Sequence, residues 1–253
     1  KKKTEILDEI KTTAEEFNNG ISKVINFAAA DELRPVMNSV SIETVPGEII
    51  FVSSNGHGLG LFKRENKRCT ETCSVIISRQ IASVLKGLIP LSEEKLVIKV
   101  GSDWSEISFE DYEISFRNVE GRYPNWRAVV PKSNNLELKT DTKLLLGAIK
   151  RTSVFSSKVS CLIKLSARYD KLVVSAQDLD YSTSAEETIP VEFGEREFVI
   201  GVKATLIQDM LSGIDDDRSI LSFATPSTAI LIAPEKQSEN EELTYLLMPM
   251  TIQ

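Results

Sequence analysis

The side chains that could do chemistry are few and widely spaced along the sequence. His57 is the only histidine among 253 residues, so a metal site built on several histidines and a relay between two imidazoles are both excluded. It lies in a glycine-rich run, Gly-His-Gly-Leu-Gly at residues 56–60. That run lacks the Gly-x-Gly-x-x-Gly spacing of a dinucleotide loop and the Gly-Lys-Ser/Thr ending of a phosphate loop. It therefore gives no evidence of a nucleotide site.

The cysteines and the acidic runs favour structural roles. Cys69, Cys73 and Cys161 are odd in number and lack a paired metal-ligand spacing, which favours free thiols in a reducing compartment. The aspartates at residues 215–217 follow a predicted helix end and lack the spacing of a calcium loop, so we interpret them as a solvated turn. Residues 239–242 are predicted to form an exposed hairpin tip. The sequence predicts no cofactor, no metal ion and no active site.

Composition is typical of a soluble globular protein of one large or two ordinary domains, with 42% hydrophobic and 26% charged residues. No apolar run is long enough to span a bilayer, and Lys1-Lys2-Lys3 has no apolar segment behind it. We therefore predict a cytoplasmic protein without membrane contact. The net charge of −7 disfavours nucleic acid over the whole surface but permits a locally basic face.

The elements that must position these residues recur in the same order in both halves of the chain. An edge strand is predicted at residues 9–16, then a helix after the cap-like residues 18–20, and a second helix capped by Ser78. Asp141 is predicted to cap the third helix. The residues predicted to face inward on the second, third and fourth helices are Ile81, Val84, Leu85 and Leu88, then Leu144, Leu145, Ala148 and Ile149, then Leu206, Ile207, Met210 and Leu211.

Matched positions indicate a duplication. Residues 81, 85 and 87 (Ile, Leu, Gly) correspond to residues 207, 211 and 213, each 126 positions later. A period this long indicates two copies of one domain, each with two amphipathic helices packed on antiparallel sheet, which is an α+β fold. We place the domains at residues 1–120 and 132–253, joined by a connector at 121–131.

The connector has the composition of a rigid, turning segment. Gly121 permits backbone conformations that other residues resist, and Pro124 and Pro131 fix φ and lack a donor. Tyr123 and Trp126 add large apolar area with a polar tip, which suits a wet edge or an interface. An ordinary loop with two packed aromatic side chains is the alternative interpretation.

Four segments together resemble the bacterial sliding-clamp family, the beta subunits of DNA polymerase III. They are residues 34–38 (Arg-Pro-Val-Met-Asn), 55–59 (Asn-Gly-His-Gly-Leu), 121–126 (Gly-Arg-Tyr-Pro-Asn-Trp) and 247–250 (Leu-Met-Pro-Met), in the family's order and spacing. The resemblance covers essentially the whole chain. Family members carry three similar domains, so we expect this chain to hold the second and third and to be a fragment that lacks the first.

The resemblance implies two tandem DNA-clamp domains and a function without catalysis. A processivity factor encircles duplex DNA regardless of sequence and serves a DNA-directed DNA polymerase, a nucleotidyltransferase, at the replication fork in the nucleoid. Family members form a homodimer ring in which a first domain meets a third, so this chain alone is not expected to close that ring. Phosphates are held by a cationic lining. The candidate DNA-facing residues, all placed on the predicted helices, are Lys23, Arg79, Lys86, Lys143, Lys150, Arg151 and Lys203.

The resemblance also implies a hydrophobic groove between the two domains. In the family it takes short peptide motifs from the replicative polymerase, the clamp loader, repair polymerases and mismatch-repair proteins. An apolar floor with methionines suits one site that serves many ligands. Core packing is the alternative role for each apolar residue. Carried over by position, the groove residues are Met37, Ser54, Gly56, His57, Leu59, Pro124, Val129, Val159, Leu206, Leu247, Met248, Pro249 and Met250.

The sequence departs from the family at four of these or adjacent positions. Gly58 and Ala128 stand where arginine is common, and Lys203 and Leu206 stand where asparagine and tyrosine are common. These changes remove polar contacts and an aromatic wall, so we expect a different motif preference.

Two other functions stay open. One is a homo-oligomeric scaffold with the clamp fold but no DNA role, which loading of the full-length protein onto circular DNA by a clamp loader would exclude. The other is a hydrolase that uses His57 with a nearby acid. Turnover that survives replacement of His57 would exclude it.

Overall fold

The computed structural model describes residues 5–194 and 197–252, and these divide into two units. Unit 1 takes the described residues up to Pro124 together with Ser238–Leu243. Unit 2 takes the described residues of Asn125–Gln237 and those from Thr244 onward. The three N-terminal lysines noted above lie outside the described residues.

Unit 1 contains two copies of one order of elements, strand–helix–strand–strand–strand. The bounds are β1 (Ile6–Thr13), α1 (Ala14–Val24), β2 (Ser39–Val45), β3 (Glu48–Ser54), β4 (Gly58–Glu65), β5 (Cys73–Ser78), α2 (Arg79–Leu88), β6 (Lys95–Gly101), β7 (Trp104–Phe109) and β8 (Tyr112–Arg117). β1 pairs with β6 and β5 pairs with β2, so the two copies exchange their first strands. The antiparallel strand orders are β1-β6-β7-β8 and β4-β3-β2-β5.

Unit 2 repeats this arrangement with one added short strand, β13. The bounds are β9 (Leu136–Asp141), α3 (Thr142–Ser153), β10 (Leu162–Arg168), β11 (Lys171–Asp178), β12 (Thr183–Pro190), β13 (Glu192–Phe193), β14 (Phe198–Lys203), α4 (Ala204–Ser212), β15 (Arg218–Phe223), β16 (Ile230–Pro234) and β17 (Glu241–Leu247). β9 pairs with β15 and β14 pairs with β10, which is the same strand exchange. The predicted α+β fold, a duplicated domain with two helices and antiparallel sheet, is confirmed.

Each α-helix among the described residues begins directly after a strand, so the last residue of that strand is the N-cap residue of the helix. The predicted caps Ser78 and Asp141 are confirmed, because their side chains accept the backbone N–H of Ile81 and Leu144. α4 differs, since Lys203 at its start makes no side-chain cap bond. Side-chain capping therefore fixes the start of α2 and α3 but not of α4.

The predicted edge strand ends too late, because α1 already begins at Ala14. Thr13 is its cap: the Thr13 hydroxyl accepts the N–H of Glu16, and the Glu16 carboxylate accepts the N–H of Thr13. This reciprocal pair is a capping box, with Thr and Glu at the required spacing. Glu16 therefore belongs to the helix and not to the strand.

The predicted cap at residues 18–20 is also wrong, because these residues lie inside α1 and serve packing. The Asn18 amide donates to the carbonyl groups of Lys86 and Ile89, at 3.0 and 2.7 Å, and so joins α1 to the end of α2. Gly20 leaves room for the ring of Phe51, since a Cβ there would lie 2.4 Å from ring carbons.

Three predicted core positions are exposed. Val84 and Leu88 on α2 are 51% and 57% exposed, and Leu144 on α3 is 36% exposed. α2 instead buries Ala82 and Leu85, so its inward face is narrower than the apolar spacing predicted. The sequence reading also missed β4 and β12, whose glycine-rich and Ser/Thr/Glu-rich sequences have low strand propensity.

Candidate functional site

The turn between β3 and β4 exposes His57 to solvent, and side-chain hydrogen bonds hold the backbone of this turn. The Asn55 side chain accepts the N–H groups of His57 and Gly58, at 2.9 and 2.8 Å. The Ser54 hydroxyl donates to the Gly58 carbonyl and accepts the N–H of Gly56, whose φ of +88° suits glycine. Ser54, Gly56 and His57 thus belong to one rigid turn with an exposed tip.

Unit 1 brings three of the four family-like segments together. Gly121 has a φ of +118°, and a Cβ there would lie 3.1 Å from the side chain of Val36, the residue before Met37. Tyr123 lies beside the backbone of Ser54, and its burial raises the pKa of its hydroxyl group. The segments around residues 34–38, 54–58 and 121–124 therefore form one surface, with Met37 half-buried and Pro124 exposed.

In unit 2, a buried tryptophan positions an exposed valine. Trp126 is 6% exposed and opens a single turn of 3-10 helix, Trp126–Ala128. The Arg127 guanidinium lies 4.0 Å from the centre of the Trp126 ring, a cation–π contact. Val129 follows this turn, donates its N–H to the Trp126 carbonyl and is 57% exposed.

The C-terminal segment is attached to the edge of a sheet. The Met250 N–H donates to the carbonyl of Gly201 on β14, at 2.8 Å. A Cβ at Gly201 would lie 2.6 Å from the Met250 carbonyl oxygen and 2.9 Å from Ile252, so this close approach requires glycine. Met248, two residues before, is 41% exposed.

A cleft of about 720 Å³ opens beside this segment, wholly within unit 2. Met250 and Ile252 line it on one side, and polar side chains of β10, β11 and β12 form its floor. The cleft lies outside the groove predicted from the sequence, which shares only Met250 with it.

The predicted groove residues differ in accessibility. Leu59, Leu206 and Leu247 are 3%, 8% and 0% exposed, so they present little surface to a ligand. Val159 is 95% exposed, in the loop between α3 and β10. Pro249 is partly exposed.

The predicted DNA-facing cations concentrate at helix ends. Lys23, Lys86, Lys150 and Arg151 lie in the last turns of α1, α2 and α3, where the helix dipole also favours positive charge. Arg79 opens α2. The placement of Lys203 on a helix is wrong, because it ends β14 and precedes α4.

Two of these cations are already paired within unit 2. The Lys143 ammonium lies 3.2 Å from Asp217, and Arg151 donates two hydrogen bonds to Glu187, at 2.9 and 2.6 Å. Those hydrogen bonds lower the pKa of the Glu187 carboxyl group. Arg79, Lys86 and Lys150 make no ion pair within the described part of the chain.

The described residues offer no cluster of three or more His, Cys, Asp or Glu side chains able to hold a metal ion. Cys69, Cys73 and Cys161 are free thiols, and burial raises the pKa of the first two to about 11. In the same described ranges, no helix is both long and apolar enough to cross a membrane.

The sequence reading missed the cleft floor on β10, β11 and β12. Its residues, such as Lys164, Gln177 and Glu186, occupy alternating positions on neighbouring strands. Period-two alternation could have indicated an outward polar face on each strand. Whether the three faces align depends on strand register, which the sequence pattern of a single strand does not predict.

Two family profiles match the chain in tandem. Residues 11–125 match the central domain of the DNA polymerase III beta subunit, and residues 127–251 match its C-terminal domain. The beta sliding clamp of Haemophilus influenzae is 22% identical over 224 residues, and that of Escherichia coli K12 is 24% identical over 226. Each match covers 88% of this chain and 60% of the relative. The chain thus spans about 60% of the length of these curated relatives.

Solved structures show the same fold. A sliding clamp from Pseudomonas aeruginosa bound to griselimycin superposes with a TM-score of 0.93 at 18% identity, covering 100% of this chain and 68% of that one. The DNA polymerase III beta subunit of Thermotoga maritima gives 0.90 at 21% identity, covering 99% and 67%. Units 1 and 2 therefore have the fold of tandem clamp domains.

Proposed function

Because the chain belongs to the DNA polymerase III beta subunit family and carries its central and C-terminal domains, we propose that it acts as part of a DNA sliding clamp. The clamp has no active site of its own. It tethers the replicative polymerase, a nucleotidyltransferase, to duplex DNA, and topological linkage rather than affinity supplies processivity. With a first domain present, two subunits form a homodimer ring in the cytoplasm, at the replication fork.

Contact with DNA is electrostatic in this proposal. Support comes from the cations at the ends of α1, α2 and α3, of which Lys86 and Lys150 have no ion pair among the described residues. Such cations attract phosphates without reading bases. The net charge of −7 then suits an outer surface that repels DNA.

We extend the proposal to partner binding: short hydrophobic motifs of the polymerase, the clamp loader, repair polymerases and mismatch-repair proteins contact the exposed and half-buried members of the groove residues named above. The observation that carries it is the C-terminal segment, where Met248 is exposed and Met250, two residues later, is hydrogen-bonded to Gly201. Methionine side chains adapt to varied ligands. Exposed Val129 and Val159 add apolar surface in the same unit.

The departures from the family change the motif preference in this proposal. Leu206 is buried in the core of unit 2, so it supplies no aromatic wall of the kind a tyrosine would give. Gly58 is buried in its turn, and Ala128 has no polar side-chain atom. Recognition therefore rests more on apolar contact and less on polar contact.

Peptide binding tests the proposal. A Gln-Leu-x-Leu-Phe-type peptide is expected to bind with micromolar-range Kd. Met250→Asp places a charge on the apolar surface and is expected to weaken binding at least tenfold, about 1.4 kcal/mol. Isothermal titration calorimetry measures both constants.

Leu91→Asp is the matched control. Leu91 is 75% exposed in the bend between α2 and β6, so the same change of chemistry falls outside the groove and should leave Kd unchanged. Equal binding by wild type and the Met250 variant would contradict the groove assignment. Equal losses in both variants would mean that the loss is not specific to the groove.

A further inference from the structure

The outer face of β10, β11 and β12 carries a cleft of which the proposed function uses only Met250. Strand register places Lys164 of β10 opposite Ser175 of β11, and Ser175 opposite Glu186 of β12. Gln177 and Ser184 face each other in the adjacent row. Since side chains two apart share a face, these residues form one polar floor across three strands. The cleft over this floor measures about 720 Å³.

One end of the cleft lies at the C-terminal segment. Lys164 is paired with Gly201 of β14, and Gly201 accepts the hydrogen bond from Met250. Met250 and Ile252 therefore wall the cleft at the end of its floor. A peptide that contacts Met250 can continue into the cleft without leaving the surface of unit 2.

Two carboxylates of the cleft, those of Asp180 and Glu186, are available to a ligand. Successive residues of β12 point to opposite faces, so Glu187 bonds with Arg151 while Glu186 faces the cleft. Within the described residues neither Glu186 nor Asp180 makes an ion pair. Asp178 is buried, and one of its oxygens accepts two backbone N–H groups of the β11–β12 turn.

The cleft has the charge to attract a cation. Its lining holds three carboxylates, of Asp178, Asp180 and Glu186, against one ammonium group, that of Lys164. Ser175 separates Lys164 from Glu186 in the row, so the backbone positions of the two residues lie two strand spacings apart, about 10 Å. Lys164 makes no ion pair with Glu186 within the described residues, so the Glu186 charge stays available to a ligand.

We propose that this cleft binds a lysine or arginine side chain flanking the hydrophobic motif of a partner peptide. The inference rests on the peptide-binding function proposed above and adds a second element of recognition to it. The apolar motif supplies most of the affinity. The flanking cation is attracted to the cleft that Asp180 and Glu186 line, and an acidic flank in the same place is repelled, so the cleft discriminates among partners.

Peptides with altered flanks test this inference. Two lysines are placed before the motif in one peptide and after it in another, and each has a counterpart with two glutamates. On at least one side the lysine form should bind the 253-residue chain roughly threefold to tenfold more tightly than the glutamate form. This ratio should shrink when salt rises from 50 to 500 mM.

Substitutions locate the effect. The double variant Asp180→Asn, Glu186→Gln should bring the lysine-to-glutamate ratio close to one and leave the Kd of a neutral-flank peptide unchanged. Asp170→Asn is the control for each of the single variants Asp180→Asn and Glu186→Gln, because it also removes one carboxylate, from the exposed turn at the other end of β10 and β11. It should keep the ratio of the wild type.

The outcomes separate the two proposals. If the neutral-flank peptide does not bind the wild type, the peptide-binding function itself fails. If it binds but lysine and glutamate flanks are equivalent on both sides, the cleft inference is overturned and the function stands. A ratio that Asp170→Asn lowers as much as Asp180→Asn or Glu186→Gln alone does would reflect overall charge and would also overturn the cleft inference.

Discussion

The first helices of the two units, α1 and α3, hold equivalent places in the order of elements but are attached by different chemistry. At the start of α1, the buried Glu16 carboxylate accepts hydrogen bonds from Thr12, from the Thr13 backbone and from Asn66. Arg64 and Arg68 approach the same carboxylate at 3.6 and 3.4 Å. One side chain thus joins the helix to two other segments of unit 1.

α3 has no such centre within the described residues. Asp141 caps it with a single bond to the Leu144 N–H, at 2.7 Å. Its ion pairs, Lys143 with Asp217 and Arg151 with Glu187, lie near solvent. The exchange of first strands therefore sets the shared architecture, while the attachment of each helix depends on local side chains. We expect α1 to be sensitive to single substitutions and α3 to be tolerant.

The largest expected effect comes from replacing the side chains that make the hydrogen bonds at the helix N-termini, Glu16 for α1 and Asp141 for α3. Glu16→Ala removes the capping box and the shared acceptor, so it should lower the free energy of unfolding of unit 1 by about 3 kcal/mol. Asp141→Ala removes one cap bond from unit 2 and should cost about 1 kcal/mol. Urea denaturation followed by circular dichroism measures both. Equal losses would break the contrast between the helices.

A second pair of variants compares glycines inside the two helices. Gly20→Ala on α1 puts a Cβ 2.4 Å from the fully buried ring of Phe51 and should destabilise unit 1 by about 2 kcal/mol. Gly147→Ala on α3 meets only the flexible end of Arg151, at 3.1 Å. Better helix propensity should then stabilise unit 2 by about 0.5 kcal/mol. In thermal and urea unfolding, the Gly20→Ala variant should therefore be less stable than wild type and the Gly147→Ala variant more stable. Shifts of the same sign in the two variants would contradict this account.

These contrasts mark how far the sequence could predict the fold. The duplication and the caps Ser78 and Asp141 were predictable, because helical spacing and capping are local signals. The role of Glu16 was not, since Asn66 and Arg68 lie 50 and 52 residues away. β4 was missed because it begins Gly-Leu-Gly, although Gly60 is required there: a Cβ would lie 2.6 Å from Phe27.

The candidate site divides in a similar way. Resemblance named Met248 and Val129, which are exposed, together with Leu59 and Leu247, which are buried. A motif gives positions in the chain, but accessibility depends on which face of a strand meets the core. The cleft beside Met250 was missed because its floor comes from three strands whose register no local pattern encodes.

The smallest expected effect concerns the surface ion pair between Arg151 of α3 and Glu187, whose contribution to stability depends on pH. Hydrogen bonds from Arg151 lower the pKa of Glu187 in the folded chain, so the pair stabilises unit 2 above the ordinary glutamate pKa of about 4.3. That contribution is lost as pH falls through the lowered folded value. Because the side chains are 62% and 27% exposed, solvent screening keeps it small. Wild type should be slightly more stable than Glu187→Gln at pH 7, and the difference should shrink as the pH falls below about 4.3, as urea unfolding over this pH range would measure. A difference that persisted at low pH would mean that Glu187 acts through packing, and α3 would then resemble α1 more closely than its exposed ion pairs indicate.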